Sequence, residues 1–259
     1  MTAPLAERAG ASPAVSPEWR EWLAENLLLG CDPEALERVL VAAGVAPELA
    51  KEALDAELAH PYFDGCQRIG QMQAKLEGLL DVYGTLYRHS GADREVPRHA
   101  DLPARELFER YYFPNRPVVL EALAREWTSA ESEAALRELL DRGPLPHGCV
   151  TRPKPGLEPR LQSEPAGSVT PLQPAPQNVL ACQVRGRSRV KLVPAFALHR
   201  LPDAPGTVEV LLSAGDALFV PVGWGHGRHA LEDGLTVELR SFATPEPNTR
   251  WNVPPDAAR

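Results

Sequence analysis

The chain of 259 residues carries 27 Lys and Arg against 35 Asp and Glu, a formal net charge of −8, and is 44% hydrophobic. It is long enough to bury a full core in one large domain or two small ones, and its acidic balance argues against non-specific nucleic-acid binding, which needs a basic footprint. The four cysteines (Cys31, Cys66, Cys149, Cys182) lack Cys-x-x-Cys spacing, so reduced thiols in a cytoplasmic protein are expected rather than a zinc site.

Residues Met1 to Ala14 contain Arg8 but no apolar core, so no signal peptide is expected there. No apolar run approaches the roughly 18–20 residues that span a bilayer. Residues 1–15 are rich in Ala, Pro and Ser and are read as disordered. Ser16-Pro17-Glu18 then combines a capping hydroxyl, a proline at the first helical position and an acid facing the helix dipole. Trp19, Trp22, Leu23 and Leu27 follow at helical spacing, and Gly30 ends the helix. Asp32-Pro33-Glu34 repeats the start signal, with Leu36, Val39, Leu40 and Ala43 on one face and Gly44 as the stop. A third helix begins near Pro47 with Leu49, Ala53, Leu54 and Leu58, and a longer one runs to about Tyr87 with Ile69, Met72, Leu76, Leu79, Tyr83 and Leu86. These apolar stripes are expected to form a helical core over residues 16–90.

Residues 91–104 are polar and read as a linker. Leu107 to Phe113 gives a short aromatic helix, Pro114-Asn115 a turn, and Pro117-Val118-Val119-Leu120 a first strand. Glu131 to Arg142 forms an amphipathic helix stopped by Gly143-Pro144, and residues 143–165 show little periodicity. From Val169 onward the pattern is all-β. Asn178–Val184 and Arg189–Val193 flank Gly186 as an expected hairpin, while Val208–Leu212 and Ala217–Pro221 flank a Gly215-Asp216 turn. Leu235, Val237 and Leu239 alternate with Thr236, Glu238 and Arg240, the period of a half-exposed strand. Residues 246–259 form a Pro-rich tail with Trp251.

Three strings in this order resemble one known family. Tyr111 to Leu120, with Asn115-Arg116-Pro117-Val118-Val119-Leu120 and then Trp127, is similar to its lead-in segment. Thr170-Pro171-Leu172-Gln173-Pro174-Ala175, then Asn178 and Gln183 to Arg189, follows a pattern that typically reads Thr-Pro-Leu-His-x-Asp, Asn and Gln-Val-x-Gly-Arg-Lys-Arg. Gly215-Asp216-Ala217-Leu218-Phe219-Val220-Pro221-Val222-Gly223-Trp224-Gly225-His226 matches a signature that typically ends Gly-Trp-Trp-His. Together they resemble the Jumonji C-type, cupin-like hydroxylases, whose double-stranded β-helix holds Fe(II) and 2-oxoglutarate. Residues 16–90 more loosely resemble the helical extension of some bacterial relatives.

The resemblance implies an α+β fold: a helical N-terminal region, then a double-stranded β-helix (a cupin or jelly-roll barrel) over 105–245, shortened between Trp127 and Thr170. It also places the reactive positions. Gln173 stands where the first metal-binding His belongs, Ala175 where the carboxylate belongs, and Ser188 where the family often has a cosubstrate-binding Lys. His226 matches the remaining metal ligand, and Thr170 and Asn178 match positions near the cosubstrate. Metal binding is thereby confined to His226 and Gln173, and cosubstrate contact to Thr170, Ser188 and Asn178. No residue is assigned a catalytic role.

Iron oxygenases of this kind need two imidazoles and a carboxylate on one face of the metal. Glutamine is a weak neutral ligand and alanine offers none. Two readings of His226 stand side by side: a barrel-mouth histidine hydrogen-bonded to a neighbour, or a residual ligand acting with His229 or Glu238. The expected function is a catalytically degenerate member that binds a peptide or small ligand in the barrel mouth. The alternative is an active Fe(II)/2-oxoglutarate-dependent hydroxylase with non-standard ligands. A homodimer through the N-terminal helices is a further expectation, with no nucleic-acid or membrane partner.

Overall fold

A computed structural model of the protein describes residues 15–90, 95–142, 148–151, 156–201, 203–244 and 247–250. The expected disorder at 1–14, the Gly143-Pro144 stop and the tail residue Trp251 lie outside these. The chain divides into two compact units, Met1–Leu79 and Leu80–Arg259, and the division falls within one helix. Among the described residues no helix is long and apolar enough to cross a membrane.

The first unit is helical because its start and stop signals act where they stand. Helix α1 (Pro17–Leu28) is capped by Ser16, whose Oγ accepts from the Trp19 amide, and α2 (Pro33–Ala42) by Asp32, which accepts from the Ala35 amide at 3.1 Å. Each such cap is worth about 1 kcal/mol. Gly30 and Gly44 follow α1 and α2 at φ 80° and 97°, where a Cβ is disfavoured. Trp19, Trp22, Leu23 and Leu27 pack with Leu36 and Leu40 of α2 and Ala50, Ala53 and Leu54 of α3 (Pro47–Leu58). The fourth helix departs from expectation. In α4 (Phe63–His89) the stripe from Ile69 to Leu86 is exposed, and Gly84 is its one buried residue among those described. It is not core.

Among its described residues the second unit has ten strands: β1 (Arg98–His99), β2 (Val118–Leu120), β3 (Arg160–Glu164), β4 (Val169–Pro174), β5 (Val179–Arg185), β6 (Ser188–Val193), β7 (Val208–Leu212), β8 (Ala217–Val220), β9 (Gly225–Ala230) and β10 (Gly234–Leu239). One sheet has the order β1-β2-β8-β5-β10-β3 and the other β4-β9-β6-β7. From β3 to β10 the chain changes sheet at every step but β6 to β7. This alternation is a double-stranded β-helix, and the fold is α+β as expected. The abbreviated span between Trp127 and Thr170 supplies helix α5 (Glu133–Arg142) and strand β3, so its shortness removes none of the eight barrel strands.

Strand alternation sorts the core into two layers. Val119, Val179, Ala181, Leu218 and Val220 of the first sheet meet Val190, Leu192, Val210 and Leu212 of the second between the sheets. The opposite faces of the first sheet (Val118, Leu180, Cys182, Phe219, Val237) pack on Tyr111, Tyr112, Trp127, Leu136 and Leu140. β5 and β6 belong to different sheets, which corrects the expected hairpin. Gly186, at φ 71°, turns the chain from one sheet to the other, and a Cβ there would collide with the Asp233 carbonyl. β10 is also not half-exposed: Leu235, Val237 and Leu239 are buried on one face, and Thr236 on the other is buried between the sheets. The expected linker carries β1, which pairs in parallel with β2. Arg98 fixes it there through Glu121 and Asp216, each at 2.9 Å, and the Leu211 carbonyl at 3.0 Å.

Candidate functional site

The barrel positions named by the sequence come together on β4 and β9. Gln173 lies directly opposite His226, and Thr170 opposite Arg228, with a bulge in β4 between the two pairs. Directly opposed residues share a face of the sheet. Arg228 reaches across to Glu164 and Thr236 of the first sheet, so this is the face toward the barrel interior. Gly227 separates His226 from Arg228. A Cβ there would stand 3.1 Å from the Thr170 carbonyl oxygen, so glycine lets β4 approach β9 closely.

The ring of His226 is half-buried, and its Nδ1 is buried with no hydrogen-bond partner. Burial pushes its pKa below the ordinary histidine value, against an opposing pull from the Glu238 carboxylate on β10. His229, three residues on, is exposed and on the opposite face, paired across from Val169 and Arg189. It cannot join His226 as a ligand, which corrects that pairing.

The remaining positions are already engaged. Ala175 is fully buried in the apolar layer between the sheets, and its backbone accepts from the Gly223 amide at 2.8 Å. Ser188 is buried and donates to Gln183 Oε1 at 2.7 Å, while Gln183 Nε2 donates to the Arg185 carbonyl at 2.8 Å. Asn178 holds a loop: its Oδ1 accepts from the Val222 amide at 2.9 Å and its Nδ2 donates to Asn248 at 2.8 Å. Thr170 donates to Glu164 Oε1 at 2.9 Å, and the other oxygen of that carboxylate lies 3.5 Å from Arg228. The side chains of Arg228 and Glu164 are only 10% and 16% exposed.

Sequence reasoning missed this Thr170–Glu164–Arg228–Thr236 cluster. Arg228 was legible in principle, being two residues from His226 on one strand. Glu164 and Thr236 were not, because they arrive from the other sheet.

The donor set does not fit a two-histidine, one-carboxylate iron site. The first histidine position holds a glutamine, and the carboxylate position is an alanine inside the core. Among the described residues no group of three or more His, Cys, Asp or Glu side chains is arranged to hold a metal ion. Cavities among the described residues lie away from the Gln173–His226 pair. One of about 520 Å³ is lined by Tyr87, Glu95, Val96, Arg110, Tyr111 and Arg116, none of them a sequence-assigned site residue. Another of about 310 Å³ is lined by Thr170, Leu172, Arg189, Lys191, Arg228 and His229 among others.

No protein-family profile and no curated protein matches the sequence. Solved structures with some likeness include the ribosomal oxygenase YcfD of Escherichia coli, at 17% identity and a TM-score of 0.40, covering 57% of this chain and 53% of that one. YcfD in complex with cobalt and succinic acid gives 18% identity and a TM-score of 0.37, with the same shares covered. The cupin domain of Drosophila melanogaster CENP-C gives 12% identity and a TM-score of 0.27, over 32% of this chain and 59% of that one. The chain thus spans about half the length of the YcfD structures it matches. The strand order, not these likenesses, defines the architecture.

Proposed function

We propose that this protein is a catalytically degenerate relative of the Jumonji C-type, cupin-like hydroxylases, a binding protein that holds a peptide or small ligand at the barrel mouth. The observation that carries this reading is the Gln173–His226 pair. These residues sit opposite one another on β4 and β9, at the positions the resemblance gives to two metal ligands, with one donor replaced by a neutral amide and the nearby carboxylate position by buried Ala175. The commitment of Thr170 to Glu164, and of Ser188 to Gln183, supports it further. Groups that would receive a cosubstrate carboxylate are spent on internal hydrogen bonds. The cavity lined by Arg189, Lys191, Glu209 and His229 is not that mouth, because those residues belong to the outer face of the second sheet. Cysteines scattered without Cys-x-x-Cys spacing accord with reduced thiols in a cytoplasmic protein.

A second reading, an active oxygenase with unusual ligands, draws on the buried, unpartnered Nδ1 of His226 and the charge of Glu238 acting on that ring. Anaerobic Fe(II) titration by calorimetry, with and without 2-oxoglutarate, separates the two. Absence of binding in both the wild type and His226→Ala is expected. Micromolar binding that vanishes in the variant would overturn the degenerate reading.

A further inference from the structure

The cavity of about 520 Å³ is built from the second compact unit alone. It opens where β1 and β2 end one sheet and β7 ends the other, at the barrel edge opposite β3 and β4. Its size falls within the range of small-molecule pockets, about 300–1,000 Å³. Val208 of β7 pairs with Leu192, and Leu192 with His226, so a fully buried leucine separates the cavity from the Gln173–His226 pair. Two uncommon backbone conformations carry the cavity's arginines. A π-helical turn over Phe108–Tyr112, closed by the Phe113 amide on the Phe108 carbonyl at 3.0 Å, supplies Arg110. Asn115 then adopts φ 58°, and Arg116 follows it. That turn is held from three sides. Asn115 Nδ2 donates to the Val222 carbonyl at 3.1 Å, the Asn115 carbonyl accepts from Trp224 Nε1 at 3.0 Å, and the Arg116 amide donates to the Tyr111 carbonyl at 2.8 Å. Such π turns and left-handed residues recur at functional sites.

We infer that this cavity binds a small monocarboxylate with an apolar or aromatic body. The Arg116 guanidinium is exposed and has no ion pair or side-chain hydrogen bond among the described residues. Arg110 is paired with Glu106 at 3.0 Å, but that pair is about half-exposed and therefore weak, which leaves Arg110 able to turn to a ligand. Guanidinium groups match a carboxylate in charge and in bidentate geometry. Tyr87, Val96, Pro117 and Val208 supply apolar wall for the body of the ligand. Glu95, also on the wall, repels a second negative charge, and so selects a monocarboxylate over a dicarboxylate. This inference is independent of what the barrel mouth holds.

Calorimetric titration of the full chain with 3-phenylpropanoate, 4-methylpentanoate, 3-phenylpropanamide and succinate tests it. Saturable binding of one monocarboxylate or both is expected, with the neutral amide and the dicarboxylate at least tenfold weaker. Arg116→Gln is expected to weaken the monocarboxylate at least tenfold with an unchanged thermal midpoint, since the side chain is exposed. Arg110→Gln is expected to weaken it by a smaller factor, and Glu95→Gln to bring succinate closer to the monocarboxylate. Arg189→Gln, on the outer face of the second sheet, is expected to bind as the wild type does. Absence of saturable binding by both monocarboxylates would overturn the inference. So would an amide that binds as tightly as its acid, or a folded Arg116→Gln that binds as the wild type does.

Discussion

His226 holds its imidazole on the inner face of β9, with Gln173 on one side and Leu192 on the other along the sheet. Its position was legible because a Gly-Trp-Gly-His string marks the end of a strand pair whatever its chemistry. Its surroundings were legible only in part: Arg228 lies two residues along the same strand, but Glu238 acts on it from β10 through a contact made by folding. Burial lowers its pKa, so the unfolded chain takes up the proton first as pH falls. The stability tied to the neutral ring is therefore complete above the ordinary histidine value of about 6.5 and is lost as pH falls below it toward the folded value. Urea unfolding at pH 7.5 and 5.5 checks this: the wild type is expected to lose more stability than His226→Ala. Equal losses would place the acid sensitivity in other groups.

At the scale of elements, local signals succeeded where local chemistry decides. Ser16 and Asp32 cap α1 and α2 because a side-chain oxygen within three residues satisfies a free amide. The failures share one cause. Two apolar strands beside a glycine read as a hairpin, but β5 and β6 go to different sheets, and no local pattern states which neighbour a strand will take. The polar face of β10 read as solvent-facing, whereas Thr236 is buried and bonded to Arg228. Gly186 marks the crossing. Its positive φ and the Asp233 carbonyl beside it leave no room for a side chain, so Gly186→Ala is expected to cost about 1–3 kcal/mol by strain alone. A shift in the urea midpoint measures it, and an unchanged midpoint would mean that the crossing relaxes freely.

At the scale of the whole molecule, the cysteines report on the two units separately. Cys66, in the helical unit, is exposed, whereas Cys149 and Cys182, in the barrel unit, are buried. Burial pushes the Cys149 thiol up to about 11 and the Cys182 thiol higher still, which removes the reactive thiolate as well as access to it. Iodoacetamide at pH 8, followed by mass spectrometry, is expected to label Cys66 while sparing Cys149 and Cys182 until the barrel unfolds. Labelling of Cys182 at the rate of Cys66 would show that β5 opens in the native state.

By itself the sequence determined what depends on short-range chemistry: the caps and stops of α1 and α2, the β character after Val169, and the strings that place Gln173 and His226 at barrel positions. Tertiary structure alone decided which sheet each strand joined, that Thr170 is bound to Glu164, and that the stripe of α4 faces water. Periodicity fixes which residues share a face, but what that face meets is set by contacts between segments far apart in the chain.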